Sequence, residues 1–264
     1  MRAETSAYRE AASVFISFIV NIFREKNQTV STDMMKINIP DIIIAVDGFS
    51  ATGKSTFAKL VAREFGFLYL DSGALYRGVT LFAQEQGLIE GTDKIDTGRL
   101  YPLLETLDLH FGEAGLYLGD RCIEDGIRSL KVSGSVSPIA TLPGVREWVD
   151  RKLHSFGEKG RVIMDGRDIG TAVFPDAQLK IFMIADNDVR ARRRFDEMVA
   201  KGQTPDIEEV MKNLLDRDYI DSHRETNPLR RADDAYIMDN SDMTLHEETV
   251  WFRGLVQGKF GILC

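Results

Sequence analysis

The chain has 264 residues, 44% hydrophobic and 28% charged, a globular composition with room for one large domain or one domain carrying an insert. Its formal net charge of −8 provides no basic field for a nucleic-acid backbone, so nucleic-acid binding is excluded and any phosphate must be met by local arginines and lysines. Cys122 and Cys264 lack metal-ligand spacing and read as ordinary thiols of a reducing, cytoplasmic compartment.

Residues 1–40 read as an N-terminal extension. Its apolar run "AASVFISFIVNIF" (11–23) holds Ser and Asn and falls short of the ~20 residues that span a membrane. "MRAETSAYRE" is a poor start for a signal peptide. The run is predicted to form an amphipathic helix that could mediate association of an otherwise monomeric protein, without stable membrane insertion. A second reading places residues 1–34 outside the fold, with a natural start at Met34 or Met35.

From residue 42 strands and helices alternate. "IIIAV" (42–46) is a continuous β-branched run, the pattern of a strand buried on both faces. A helix with Phe57, Leu60, Val61 and Phe65 on one side follows, then the short strand "FLYL" (67–70) and a helix with Leu75, Val79 and Phe82 on one face. "RVIMD" (161–165), "LKIFMIA" (179–185) and "AYIMD" (235–239) are three further strands, each followed by helical sequence. This alternation predicts an α/β fold with a mostly parallel sheet. Residues 92–140 interrupt the rhythm and read as an inserted subdomain, with a hairpin around Gly112 and Gly115 in "LDLHFGEAGLYLGD". The helix-like "GVREWVDRKLHSF" follows it. The last helix opens on a capping box, Thr244 with Glu247.

Between the first strand and its helix lies "GFSATGKS", a phosphate loop in the spacing G-x-x-x-x-G-K-[ST]. Gly48 and Gly53 free the backbone to aim the N–H groups of Ser50, Ala51, Thr52 and Thr56 at phosphate oxygens, helped by the helix N-terminus. Lys54 is expected on the β- and γ-phosphates of ATP and Ser55 on Mg²⁺. Phosphoryl transfer also needs a carboxylate near the metal and cations around the moving group. Asp165, at a strand's C-terminal end in "VIMDGRDIG", is the candidate to hold Mg²⁺ through water, a helix N-cap being the alternative. Arg167 and Asp168 leave the same edge.

Two arginine-rich stretches follow. "DVRARRRFDEM" (188–198) carries Arg190, Arg192, Arg193 and Arg194, either a solvated helix face or part of a lid over 188–206 closing on a nucleoside triphosphate. In "DIEEVMKNLLDRDYIDSHRE" (206–225), Ile207, Val210, Met211 and Leu214 form a helical stripe that continues into Arg217, Asp218, Asp221 and Arg224. Charges on the core side of a helix must be paired, with each other or with a ligand in a cleft. "LYLDSGALYRGV" puts Asp71, Ser72, Tyr76 and Arg77 at the same sheet edge.

The stretches "DGFSATGKST", "LDSGALYR", "DGRDIGTAVFPDA", "RARRR", "RDYIDSHR" with "NPL", and "ADDAYIMDNS" resemble, in order over most of residues 42–250, the bacterial-type cytidylate kinases, P-loop nucleoside monophosphate kinases. The resemblance implies a P-loop kinase domain over 41–264 with a five-stranded parallel sheet, a monophosphate-binding insert and a lid. It implies Mg²⁺ as cofactor, and ATP and CMP or dCMP as substrates. Ser72 and Tyr76 would line the monophosphate site, and Arg77 and Arg167 would hold the acceptor's phosphate. Asp168 and Arg128 would read the cytosine edge, Arg217 and Asp221 the ribose, and Arg224 the transferring phosphates. Arg190, Arg193 and Arg194 would lie near ATP. Phe49, Ala51 and Thr52 replace the choices common in family loops, and "GDRCIED" stands where the family usually has G-E-D-V-[ST]. The residues alone also allow a P-loop kinase for a small-molecule hydroxyl, or a nucleotide-dependent regulatory protein. The absence of an N-K-x-D run counts against a GTPase.

Overall fold

The structure is a computed structural model that describes residues 39–261 apart from 92–93, 113–114 and 158–159. The helix expected over 11–23, the rest of the extension up to residue 38, and Cys264 lie outside the described residues.

The first strand, β1 (Ile43–Gly48), is buried along almost its whole length. The chain turns through residues 49–53 into α1 (Lys54–Phe65), which stops at Gly66 in a left-handed C-cap. β2 (Leu68–Asp71) leads into α2 (Ser72–Glu85), whose first turn is capped by the Asp71 side chain accepting from Ala74 N at 3.0 Å. A short antiparallel pair, β3 (Ile89–Glu90) and β4 (Lys94–Ile95), precedes α3 (Thr97–Leu104). The expected hairpin is β5 (Leu109–Gly112) with β6 (Gly115–Leu118), extended by a third strand, β7 (Arg121–Cys122). α4 (Leu130–Thr141) and α5 (Pro143–Gly157) return the chain to the sheet. β8 (Val162–Gly166) and β9 (Leu179–Ile184) follow, then the helix pair α6 (Asn187–Ala200) and α7 (Ile207–His223). β10 (Tyr236–Asp239) and α8 (Leu245–Phe260) complete the order, and α8 begins with the predicted capping box.

The strands form a five-stranded sheet in the order β10-β9-β1-β8-β2, parallel at every pairing. This is the P-loop kinase fold the sequence implies. β1 lies at the centre, so the loop that follows it opens over the C-terminal edge, where ligands collect in open α/β sheets. Helices cover both faces. Phe252 of α8 meets Phe57 and Phe65 of α1 with ring centroids 5.8 and 5.2 Å apart. On the other face, Leu75 and Val79 of α2 share one core with Leu109, Leu116, Ile139, Trp148 and the sheet residues Ala45 and Met164. The elements between α2 and β8 are therefore seated on the same apolar core as the sheet.

Two buried features fix the edge where the loop begins. Gly48 sits at φ 148°, and a Cβ there would lie 2.2 Å from the Met183 carbonyl oxygen. β1 can approach β9 this closely only with hydrogen at that position. Asp47 is buried just before it, its carboxylate accepting from Ile169 N at 2.8 Å and Gly170 N at 2.7 Å. It thereby ties the turn after β8, which carries Arg167 and Asp168, to the central strand. Burial pushes the Asp47 carboxyl up to about 7, against the pull of those two N–H groups.

The stripe expected on α7 is present with one correction. Val210 and Leu214 are buried with Met211 beside them, but Ile207 is 38% exposed because it lies outside the apolar cluster they form with Ala191 of α6. No helix among the described residues is long and apolar enough to cross a membrane.

Candidate active site

A cleft of about 420 Å³ opens at the C-terminal edge of the sheet. From the phosphate loop, Ser50, Ala51, Gly53, Lys54, Ser55 and Thr56 line it. Across from them stand Ser72, Tyr76 and Arg77 of α2, with Arg128 beyond. Asp165, Arg167 and Asp168 form its floor, and Arg194, Arg217, Asp221 and Arg224 come from the α6–α7 pair and the residue after it. Four candidates do not line it. Gly48 shapes the turn from beneath, and Thr52, Arg190 and Arg193 brace the loop from behind.

The loop is tied down from several directions. Ser50 N donates to Asp218 Oδ1 at 3.2 Å, Arg190 donates to the Ser50 carbonyl at 3.1 Å, and Arg167 donates to Ser50 Oγ at 2.8 Å. The Thr52 carbonyl accepts from Asn240 Nδ2 at 2.9 Å, and Arg193 donates to both the carbonyl and the Oδ1 of Asn240, at 2.8 and 3.1 Å. Lys54 is buried with its ammonium on the Phe49 carbonyl at 2.5 Å and on Thr52 Oγ at 3.3 Å. Burial, and then the Arg167 charge, pull Lys54 down to about 7.

Asp165 ends β8 inside the cleft and caps no helix. Its two oxygens accept from Ser55 Oγ and Tyr69 OH, each at 2.8 Å. Burial and the Asp71 charge raise its pKa. Ser72 donates its hydroxyl to the Asp165 carbonyl at 2.7 Å, locking α2 to β8. A hydroxyl and a carboxylate touching beside the phosphate loop are hard oxygen donors. Among the described residues no group of three or more His, Cys, Asp or Glu could enclose a metal. That donor set fits a Mg²⁺ ion bound chiefly by nucleotide phosphates and water, with few protein ligands.

Most arginines in the cleft have carboxylate partners. Arg77 pairs with Asp71 at 2.7 Å, and Arg128 with Asp71 at 3.4 Å and Glu124 at 2.5 Å. Burial pushes the Asp71 carboxyl up, but Arg77, Arg128 and the Ala74 N–H outweigh it and hold it below the usual range. Arg167 pairs with Asp221 at 2.9 Å, Arg190 with Asp218 at 2.5 Å, Arg194 with Glu197 at 2.9 Å, and Arg224 with Asp168 at 3.0 Å. Arg217 differs. It enters none of these ion pairs; its Nε, like those of Arg77, Arg146 and Arg190, is buried without a hydrogen-bond partner, and burial with the Arg167, Arg194 and Arg77 charges outweighs Asp221 and pulls its pKa down to about 10. The charged end of the α7 stripe is thus partly an internal ion-pair network, with Arg217 lining the cleft outside it.

Four residues of this network were not foreseen. Arg146 on α5 is almost wholly buried, lies over the Tyr76 ring at 5.5 Å, and grips the second oxygen of Asp168. It shares a helical stripe with Val149 and Leu153, so a charge on an apolar face was its available signal. Asp47 had a similar signal, a carboxylate closing a wholly apolar strand. Tyr69 sits on a short strand and Asn240 in a turn, and neither offers a spacing that points inward.

A phosphate loop on a central parallel strand, facing a cleft lined by arginines, defines the class as a P-loop kinase with room for two anionic substrates. Residues 44–250 match the family described as cytidylate kinase. The chain is 48% identical over 216 residues to the cytidylate kinase of Bacteroides thetaiotaomicron, covering 80% of this chain and 94% of that one. It is 47% identical to that of Bacteroides fragilis (82% and 96% covered) and 48% identical to that of Parabacteroides distasonis (80% and 94%). The chain belongs to the cytidylate kinase family.

Two outcomes test this geometry. Arg190→Met leaves Asp218 buried without its partner and is expected to lower the unfolding free energy by about 3–5 kcal/mol in urea titration. Arg217→Met should leave stability unchanged or raised, while acceptor-stimulated turnover falls by about 100-fold or more. Equal destabilisation of both variants would mean Arg217 is a structural cation. Second, a triphosphate on the loop would bring negative charge beside Lys54, which burial and the Arg167 charge pull down to about 7, and would raise it. Proton uptake by Lys54 is therefore expected at pH 8, shrinking towards pH 6 where Lys54 is already protonated. Calorimetry in buffers of different ionisation enthalpy measures it, and proton release at pH 8 contradicts the assignment.

Proposed function

We propose that this chain transfers the γ-phosphoryl group of ATP to CMP, and to dCMP, giving ADP and CDP or dCDP. The observation that carries the reading is Arg217, a cation that lines the same cleft as the phosphate loop and enters none of the ion pairs around it; family membership supplies the name of the acceptor. Residues 92–140 serve as the monophosphate-binding insert and residues 188–206 as the lid. The enzyme acts as a cytoplasmic monomer.

The loop N–H groups and Lys54 hold the donor phosphates. Arg194 faces them from the lid, while Arg190 and Arg193 keep the loop in shape. Asp165, through water, and the Ser55 hydroxyl would hold Mg²⁺, which would supply charge neutralisation on the donor phosphates. On the other side Arg77 and Arg167 hold the acceptor's 5′-phosphate, beside Ser72 and Tyr76. Both arginines lean on carboxylates in the free cleft, Asp71 and Asp221, and an arriving phosphate can share those guanidinium groups without leaving the carboxylates unpaired. Arg217 and Arg224 stabilise the charge that spreads over the moving phosphoryl group, and Asp221 meets the ribose. The acceptor oxygen is already anionic, so no general base is required, and catalysis consists of alignment and charge neutralisation. Asp168, with both oxygens gripped by arginines (Arg146 of α5 and Arg224 just after α7), and Arg128 read the cytosine edge.

The test is ADP release in a coupled assay with CMP, dCMP, UMP, AMP, shikimate or no acceptor. CMP and dCMP are expected to stimulate it most. Absence of stimulation by any nucleotide would sink the kinase reading, and stimulation by shikimate alone would reassign the acceptor. In the same assay Asp168→Asn is expected to narrow the preference for CMP over UMP by about tenfold or more. An unchanged ratio removes Asp168 from base reading.

A further inference from the structure

The phosphate loop holds one residue in a backbone conformation that its side chain disfavours. Ala51 sits at φ 58°, in the left-handed region, where a Cβ crowds the following carbonyl and glycine alone is free of that cost. Such conformations persist only where surrounding contacts hold them. Here those contacts are visible. The Ala51 methyl packs against a small apolar cluster formed by Ala191 of α6 with Val210 and Leu214 of α7. The neighbouring residue, Ser50, is held on its N–H by Asp218 of α7 and on its carbonyl by Arg190 of α6. The cluster thus reaches Ala51, and the Arg190–Asp218 pair reaches the residue beside it, Ser50.

We propose that Ala51 is a positioning residue that couples occupancy of the phosphate loop to the α6–α7 pair, through a methyl group seated between those helices. The inference rests on reading the loop as the ATP site. Phosphates that bind the loop N–H groups narrow the conformations open to residue 51. The methyl then becomes a fixed wedge against Ala191, Val210 and Leu214, and the helix pair that carries Arg194, Arg217 and Asp221 is held with it. A ligand shifts a distant element only by differential contact with its states, and this methyl provides such a contact. Glycine at position 51 would bind phosphate through the same N–H group but transmit nothing through a side chain.

Hydrogen–deuterium exchange on the full chain, with and without a saturating non-hydrolysable ATP analogue, tests this. Each protein is compared with its own ligand-free state, so any change in global stability cancels. In the wild type the analogue is expected to slow exchange both in residues 48–56 and in residues 207–223. In Ala51→Gly the slowing over 48–56 persists, whereas that over 207–223 falls at least threefold. Val210→Ala, which removes the receiving side of the contact outside the cleft, should do the same. Wild-type slowing at 207–223 in both variants overturns the coupling, as does a wild type in which only the loop responds. If neither segment of the wild type responds, the donor-site reading itself fails and the coupling falls with it.

Discussion

A guanidinium taken out of water must find an opposite charge or a dense set of acceptors, because its unpaired burial costs several kcal/mol. The architecture of the cleft follows from that constraint. Arg190, Arg167 and Arg224 are matched with Asp218, Asp221 and Asp168, so the end of α7 is bound to the phosphate loop and to the turn after β8. Arg217 lies on the same stripe, lines the cleft and enters none of these pairs, so that burial and its arginine neighbours outweigh Asp221. A protein that tolerates this arrangement is arranged for a ligand that brings negative charge to that point.

The sheet makes the arrangement possible. β1 is central, and its closing glycine allows contact with β9 that no side chain would permit. Asp47 then holds the Arg167–Asp168 turn by its backbone, and Asn240 holds the loop from the opposite side. Donor loop, floor and helix pair are thus fastened to one another by polar contacts whose partners lie far apart in the chain. Ser50 concentrates three of them on one residue, through its N–H, its carbonyl and its hydroxyl.

Much of this was legible in the sequence, for physical reasons that can be named. The inner strands β1, β8 and β9 declared themselves because a parallel strand covered on both faces must be apolar throughout, and the partly exposed edge strands β2 and β10 as short apolar runs in the same alternation. The loop declared itself because its glycines and lysine stand at fixed spacing. The α7 stripe declared itself because helical periodicity places Arg217, Asp218 and Asp221 on the side of Val210 and Leu214. Pairing was not legible. Periodicity gives the face on which Arg190 lies but not that Asp218 lies opposite it, so a cation assigned to ATP turned out to brace the loop. Asn240 was invisible because its role depends on the close approach of a turn and a loop separated by most of the chain. Ala51 could be seen to depart from the residue usual in such loops, but its left-handed backbone and its apolar neighbours could not.

The central claim is that the cleft is a single two-substrate site, lined both by the phosphate loop and by the cation of Arg217. A cytidine and an adenosine joined by a polyphosphate bridge test it most directly, because such a molecule engages both ends only if they face each other. The account predicts that it binds one per chain and at least about 100-fold more tightly than ATP alone, since linking two ligands makes the second contact intramolecular. An affinity no greater than that of ATP would contradict the account.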